Sequence, residues 1–343
     1  MKVLVTGGTG FTGSHLVRRL LQKGQHVSVI DSQKGLFDEE LKAAGATIDL
    51  GSITDQALLN KAVNGCEVVY HLAAAFRQLN VPERHYWDVN VEGTRQLLDT
   101  ALRSGVRKFV YCSTQGVHGH IANPPGNENS PIAPEDYYQY TKYKGEEVVR
   151  EYVEKGLDAV TIRPTAIYGP GDPARFLILF RLVKRGRFLM FGNGNTFYHP
   201  VYIDNLVDAF ELVATRDGVR GKSYIIGDEH YYTLNELVQK IASAMNVSVK
   251  IHHAPFWPLW TAAWTCEKLC KPLHLSPPLF RRRVDWFRQS RAFSMENAQR
   301  DLGYKPKVGI EEGLANTAKW YKEQGYVSVP GTALMHQPKA SGL

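Results

Sequence analysis

The sequence predicts an α/β protein organised around a doubly wound parallel sheet. Three observations lead there. Short β-branched runs alternate with helix-length amphipathic stretches through the first half of the chain. A glycine cluster, TGGTGFTG at residues 6 to 13, lies between the first strand-like run and the first helix-like one, and an acid, Asp31, closes the second run.

Taken in order, KVLVTGG reads as a strand, SHLVRRLLQKG as a helix and HVSVID as a second strand. EVVYHLA, TRQLLDTALRSG and KFVYCST continue the alternation. Strands separated by helices imply right-handed βαβ units, and so a parallel sheet covered on both faces. DAVTIRP at 158–164 and KSYIIG at 222–227 are further strands, with a helix-like DNLVDAFELVAT between them and TLNELVQKIASAM after them. From Gly169 onward proline, glycine and aromatic residues become denser and the rhythm breaks. The expected organisation is a dinucleotide-binding core over 1–168, completed by 201–227. A smaller, mostly helical substrate region grows from insertions at 169–200 and 228–325, and an aperiodic tail covers 330–343.

Composition bounds the function. The chain has 343 residues, 43% hydrophobic and 22% charged, with 41 Lys+Arg against 34 Asp+Glu, a formal charge of +7. Such a chain can bury a large core, which excludes disordered and fibrous classes. The cations are scattered apart from Arg281-Arg282-Arg283, so no nucleic-acid surface is expected. Cys66, Cys112, Cys266 and Cys270 form neither a disulfide framework nor a CxxC pattern, and His71 and His252-His253 have no metal-ligand spacing to nearby Cys, Asp or Glu. No metal is predicted. With no signal-peptide core at Met1 and no apolar run of 18 residues, the expectation is a soluble, cytoplasmic protein.

Gly8, Gly10 and Gly13 fit G-x-G-x-x-G, and Gly7, Gly10 and Gly13 fit G-x-x-G-x-x-G. Glycines permit the tight turn and let a pyrophosphate approach the backbone at a helix N-terminus. This makes the predicted fold Rossmann-type. Asp31, 18 residues past Gly13, stands where a carboxylate accepts hydrogen bonds from ribose hydroxyls and repels a 2′-phosphate, which favours NAD. Lys34 nearby keeps NADP open.

Several motifs then follow in order: DLGSITD at 49, HLAA at 71, VNVEGT at 89, YCSTQGVHG at 111, Tyr138-x-x-x-Lys142, IRPTAIYGPG at 162, VYIDNLVDA at 201 and LGYKP at 302. With TGGTGFTG, they make the chain resemble the extended short-chain dehydrogenase/reductases from about residue 2 to about 325. That group includes nucleotide-sugar epimerases and dehydratases, dihydroflavonol reductases and 3β-hydroxysteroid dehydrogenases. The resemblance implies cofactor contacts from Gly7, Gly10, Phe11, Thr12, Gly13, Asp31, Asp49, Leu50, Leu72, Ala73, Ala74, Asn90, Tyr138, Lys142 and Pro164. Asn90 would also help to order the active site.

The family chemistry needs a Tyr and a Lys one helical turn apart, so that an ammonium favours the phenolate that exchanges a proton with substrate. DYYQYTKYKGEE offers Tyr138 with Lys142 and Tyr140 with Lys144; the motif's Ser/Thr before Lys and its small residue and Glu after it select the first pair. The third member, a hydroxyl at a strand end, is Thr114, with Ser113 the alternative. Dehydratases of the group carry Asp-Glu after that hydroxyl; Gln115 and Gly116 stand here, which argues against dehydration.

Nucleotide-sugar enzymes of the group carry an Arg for the nucleotide's phosphates in a stretch that here reads GNGNTFYHP, 192–200, with Tyr198 in the Arg position. The following APFWPLWTAAWTCEKLCKPL, 254–273, and AFSMENAQRDLGYKP resemble the 3β-hydroxysteroid and sterol dehydrogenase branch, where the matching region encloses an apolar substrate. On periodicity alone the apolar segment reads equally as a core helix; as a lid it suits a lipid-like substrate or an approach to a membrane surface. The expected function is NAD-dependent interconversion of a secondary alcohol and ketone on a hydrophobic, sterol-like molecule. The alternative is a nucleotide-sugar 4-epimerase with the same triad and tightly held NAD. Relatives dimerise through two helices, here those around 91–104 and 138–154, so a homodimer is expected.

Overall fold

The computed structural model describes residues 1–76, 81–172, 175–270, 278–279 and 281–327. The predicted tail at 330–343 and part of the apolar segment, 271–273, lie outside these.

Seven parallel strands form the central sheet: β1 (Lys2–Thr6), β2 (His26–Asp31), β3 (Thr47–Leu50), β4 (Val68–His71), β5 (Lys108–Cys112), β6 (Ala159–Pro164) and β7 (Ser223–Ile226). Their spatial order is β7-β6-β5-β4-β1-β2-β3. The chain winds outward from β1 to β3, returns to the other side of β1 with β4, and continues outward to β7. The switch between β1 and β4 opens a crevice at the carboxyl edge of the sheet, where open α/β sheets bind ligands.

Both faces are covered, and the central strands β1 and β4 bury uninterrupted apolar runs, VLV and VVY. Val3 and Val5 point into one buried cluster with Leu16, Val17 and Leu20 of the helix Phe11–Gln22. Leu4, between them, points into the opposite cluster with Leu59, Leu97 and Val149. Those three come from the helices Gln56–Val63, Thr94–Arg103 and Tyr137–Glu154. Burial of each Leu or Val contributes about 1.5–3 kcal/mol.

The later segments contribute helices at Arg175–Val183, Leu234–Ala244, Phe256–Cys270, Glu296–Leu302 and Ile310–Glu323. Short strands accompany them: Arg187–Phe191 pairs in parallel with Lys250–Ala254, and Phe197–Tyr198 pairs with Tyr232–Thr233. A further apolar cluster gathers Phe176, Phe180, Leu237, Ile241 and Tyr321 beside the sheet's carboxyl edge.

Candidate active site

The glycine loop follows β1 directly. Gly7 adopts φ +72°, and a side chain there would meet the Ala73 backbone nitrogen at 2.6 Å. At Gly13 a Cβ would lie 2.0 Å from the Gly7 carbonyl oxygen. The loop thus folds back on its own helix and against residues 72–73, and Gly10 starts the Phe11–Gln22 helix with no side-chain cap. The first-turn amides, Phe11, Thr12 and Gly13 among them, could meet an anion at this helix terminus. Asp31, ending β2, accepts the Thr9 amide at 3.2 Å, which fixes its carboxylate beside the loop.

Across the switch point, the residues after β4 are held by a directional chain of hydrogen bonds. Thr94 Oγ1 donates to the Asn90 carbonyl at 2.9 Å, so its contact with His71 Nε2, also 2.9 Å, is one it accepts. His71 therefore carries its proton on Nε2. Its Nδ1 accepts from Thr6 Oγ1 at 2.7 Å, and Thr6 Oγ1 accepts the Ala73 amide at 3.3 Å. Burial, with the Lys142 ammonium adding to it, holds the His71 pKa well below the ordinary value and keeps the ring neutral.

Asn90 is buried in a single π-helical turn, Asp88–Gly93, of the kind that recurs at functional sites. Its Oδ1 accepts the Ala75 amide at 2.8 Å; its Nδ2 donates to the Ala75 carbonyl at 3.2 Å and to Thr141 Oγ1 at 2.9 Å. Thr141 Oγ1 in turn donates to the Tyr138 carbonyl at 2.9 Å. One amide side chain thus ties the 73–75 loop to the helix bearing the predicted Tyr and Lys.

That helix, Tyr137–Glu154, starts at Asp136, whose Oδ1 accepts the Gln139 amide at 2.9 Å. It lies close to β5 because Gly145 leaves room: a Cβ there would meet Tyr111 Oη at 2.2 Å. Lys142 is buried with its ammonium 4.2 Å from the centre of the Tyr111 ring. Burial lowers its pKa to about 8, against the opposing influence of Cys112 and Glu146. No carboxylate pairs with it among the described residues, so polar hydroxyls of a ligand would complete its surroundings. By contrast Lys144, of the rejected pair, sits at the surface in an ion pair with Glu147 at 2.7 Å. The Phe76 ring lies 4.7 Å from that of Tyr138 and is partly exposed, an apolar wall beside the predicted acid/base.

Thr114 follows β5. Its Oγ1 accepts the Gly116 amide at 3.0 Å, leaving its hydroxyl proton to donate. Ser113 is buried, and its Oγ has no hydrogen-bond partner among the described residues. The turn after Thr114 is anchored by His118. Its Nδ1 donates to the Ser130 carbonyl at 3.0 Å, and its Nε2 accepts from Arg163 Nη1 at 3.0 Å. Burial, then the neighbouring Arg163 charge, lowers the His118 pKa. Arg163 also grips Glu146 of the helix bearing Tyr138 and Lys142 through two bonds, 2.9 and 2.6 Å, with both side chains buried. Pro164 ends β6 at the same edge.

Asp49 and Leu50 close β3 at the carboxyl edge, in register with Ile30 and Asp31 of β2. Asp49 is bound by Lys61 at 2.9 Å and lines a shallow depression together with Lys2 and His26. Leu50 ends β3 half exposed. Residues just past the strand continue along the carboxyl edge: Gly51 donates its amide to the Asp31 carbonyl at 2.8 Å, and Ile53 packs at Gly93 of the π-helical turn. Asp55 then caps the next helix through the Ala57 and Leu58 amides. Phe76, His71 and Arg163 were not singled out for the site; their partners are distant in sequence.

The NAD dependent epimerase/dehydratase family model matches residues 3–227. The 2-alkyl-3-oxoalkanoate reductase of Stenotrophomonas maltophilia is 31% identical, with 92% of this chain and 97% of the relative covered. The mouse decarboxylating sterol-4-alpha-carboxylate 3-dehydrogenase is 29% identical, over 93% of this chain and 90% of the relative. Among solved structures, the UDP-glucose 4-epimerase of Thermotoga maritima, determined with UDP-glucose, superposes with a TM-score of 0.75 at 25% identity, covering 94% of this chain and 99% of that one. The uncapped glycine-loop helix, the Asp31 carboxylate beside it and the buried Lys142 suit a dinucleotide, and with that match over well more than half its length the chain belongs to the NAD dependent epimerase/dehydratase family.

Proposed function

We propose that the protein interconverts a secondary alcohol and a ketone on an apolar substrate, using NAD in preference to NADP. The observation that carries this reading is the surroundings of Tyr198, at the position where nucleotide-sugar enzymes of the family place an Arg. It is buried, with its ring 6.1 Å from Phe176 and 5.9 Å from Trp286. An aromatic core fills that position, so no guanidinium fork stands there for a pyrophosphate. The names of the two relatives support the same class. Each puts an oxygen at position 3 of an apolar skeleton, with a carboxylate on the neighbouring carbon.

Bound NAD would supply the hydride acceptor or donor. Tyr138 would pass the proton to or from the substrate oxygen, Thr114 would donate a hydrogen bond to that oxygen, and the Lys142 ammonium would favour the Tyr138 phenolate. Gly7, Gly10 and Gly13 would admit the pyrophosphate, with Asp31 on the adenosine ribose. Two molecules would pair through the helices Thr94–Arg103 and Tyr137–Glu154.

The second reading, a nucleotide-sugar 4-epimerase with the same three residues, is favoured by the likeness to the UDP-glucose enzyme. Incubation with NAD and either 3β-hydroxysteroids, 2-alkyl-3-hydroxy acids or UDP-glucose separates the two. NADH accumulating with an apolar alcohol, and falling about 10²–10⁴-fold in Tyr138→Phe with NAD affinity retained, is the expected result. UDP-sugar interconversion without net NADH would overturn it in favour of the epimerase.

A further inference from the structure

The helix Phe256–Cys270 is apolar in sequence, FWPLWTAAWTCEKLC, yet among its residues only Ala263 is buried. Trp257 is 69% exposed, Leu269 66% and Trp264 43%. Pro258, Ala262, Cys266 and Leu269 line an open groove of about 580 Å³ along one side of it. A contiguous apolar surface of this kind is unfavourable in water and marks an interaction face.

Length limits what can cover it. Fifteen residues rise about 22 Å, short of a hydrocarbon layer of about 30 Å. No helix among the described residues is long and apolar enough to cross a membrane. A helix of this length is suited to lie along an interface, where tryptophans prefer to sit.

Charge selects the partner. The only acid of the helix, Glu267, is consumed by Arg281, which binds it through its amide at 2.7 Å and its Nε at 2.8 Å. The cations lie over the aromatic faces: Arg281 is 5.9 Å from the Trp260 ring and Lys268 5.8 Å from Trp264. The adjoining helix, Arg281–Val284, begins with three arginines in a row, within a chain of net charge +7. Exposed aromatics bordered by Lys268 and Arg281, on a chain of net positive charge, complement anionic headgroups above acyl chains.

We propose that Phe256–Cys270 docks this protein on the surface of an anionic phospholipid bilayer, with the tryptophans at the headgroup boundary and Lys268 facing the phosphates. The inference stands independently of the substrate assignment.

Flotation of the whole protein with vesicles tests it. Vesicles of phosphatidylcholine with about 30% phosphatidylserine should bind it about tenfold more tightly than phosphatidylcholine alone, and about 0.5 M NaCl should release most of it. Brominated lipids should quench the tryptophan emission, which shifts to the blue on binding. Trp257→Ser with Leu269→Ser should cut binding about tenfold, and Lys268→Glu, which leaves the apolar face intact, should weaken binding to the anionic vesicles alone. Thermal midpoint and NAD affinity serve as folding controls. Absence of flotation on anionic vesicles would overturn the proposal, as would equal binding to both lipid mixtures. A concentration-dependent dimer abolished by the Ser variants would assign the face to a second copy instead.

Discussion

Glu146→Gln is the perturbation that most directly probes how the helix bearing Tyr138 and Lys142 is held. Glu146 and Arg163 are 1% and 5% exposed at their side chains and share two bonds of 2.6 and 2.9 Å. Removing one partner of a buried pair costs about 3–5 kcal/mol, because the remaining charge is left uncompensated. Gln keeps one acceptor oxygen, and Arg163 keeps His118 Nε2 and the Glu128 carbonyl, at 3.0 and 3.3 Å. The expected loss is therefore at the lower end, about 2–4 kcal/mol. At about 2 °C per kcal/mol for a chain this long, the thermal midpoint should fall by roughly 4–8 °C. A second effect is chemical. Glu146 supports the Lys142 charge against burial, so its neutralisation should move the Lys142 pKa further below about 8 and weaken turnover at neutral pH. Scanning calorimetry and kcat measured from pH 6 to 9 read the two effects separately. Glu146→Met with Arg163→Met should cost less than Glu146→Gln alone. A midpoint lowered by less than about 1 °C, with an unchanged pH profile, would refute the reasoning.

Lys142 gives a stability signature of its own. Its pKa falls from 10.5 unfolded to about 8 folded, so between these values the unfolded chain binds more protons and stability rises with pH. Relative to Lys142→Met, the cofactor-free protein should gain roughly 3 kcal/mol from pH 8 to 10.5, and urea midpoints with no such gain would contradict the burial argument. His71→Leu should strand the Thr6 and Thr94 hydroxyls, lower stability by about 2–4 kcal/mol and weaken NAD binding through the Ala73 loop. Denaturant melts and a NAD titration measure both. Asp31→Ala should shift the ratio of kcat/KM for NAD and NADP toward NADP by about tenfold or more; an unmoved ratio would remove Asp31 from the ribose.

Much of this arrangement was legible in the sequence because its signals are local. The alternation of Val3, Leu4 and Val5 between two faces, the glycine spacing and the acid ending β2 all act within a few residues of one another. The Tyr138/Lys142 choice rested on neighbours such as Gly145, whose missing side chain admits Tyr111 Oη. Long-range partners were illegible. Nothing in HLAA declares that His71 bridges Thr6 and Thr94, and nothing beside Arg163 declares that it reaches Glu146 and His118. The uncovered state of Phe256–Cys270 was equally hidden, since an apolar helix has one composition whether it fills a core or lies outside it.

The Asn90 contacts bear on synthesis at the ribosome. Asn90 Nδ2 waits 51 residues for Thr141, and the Gly145 gap and the Arg163 grip arrive later still. An emerging amino-terminal half can pair β1, β2 and β4 and shape the glycine loop, yet it has no Tyr138 helix against which to brace residues 73–75. Cofactor capture by such a nascent chain would lack half of its walls, so the dinucleotide would serve as a late clasp on an assembled fold and not as a template for its first steps.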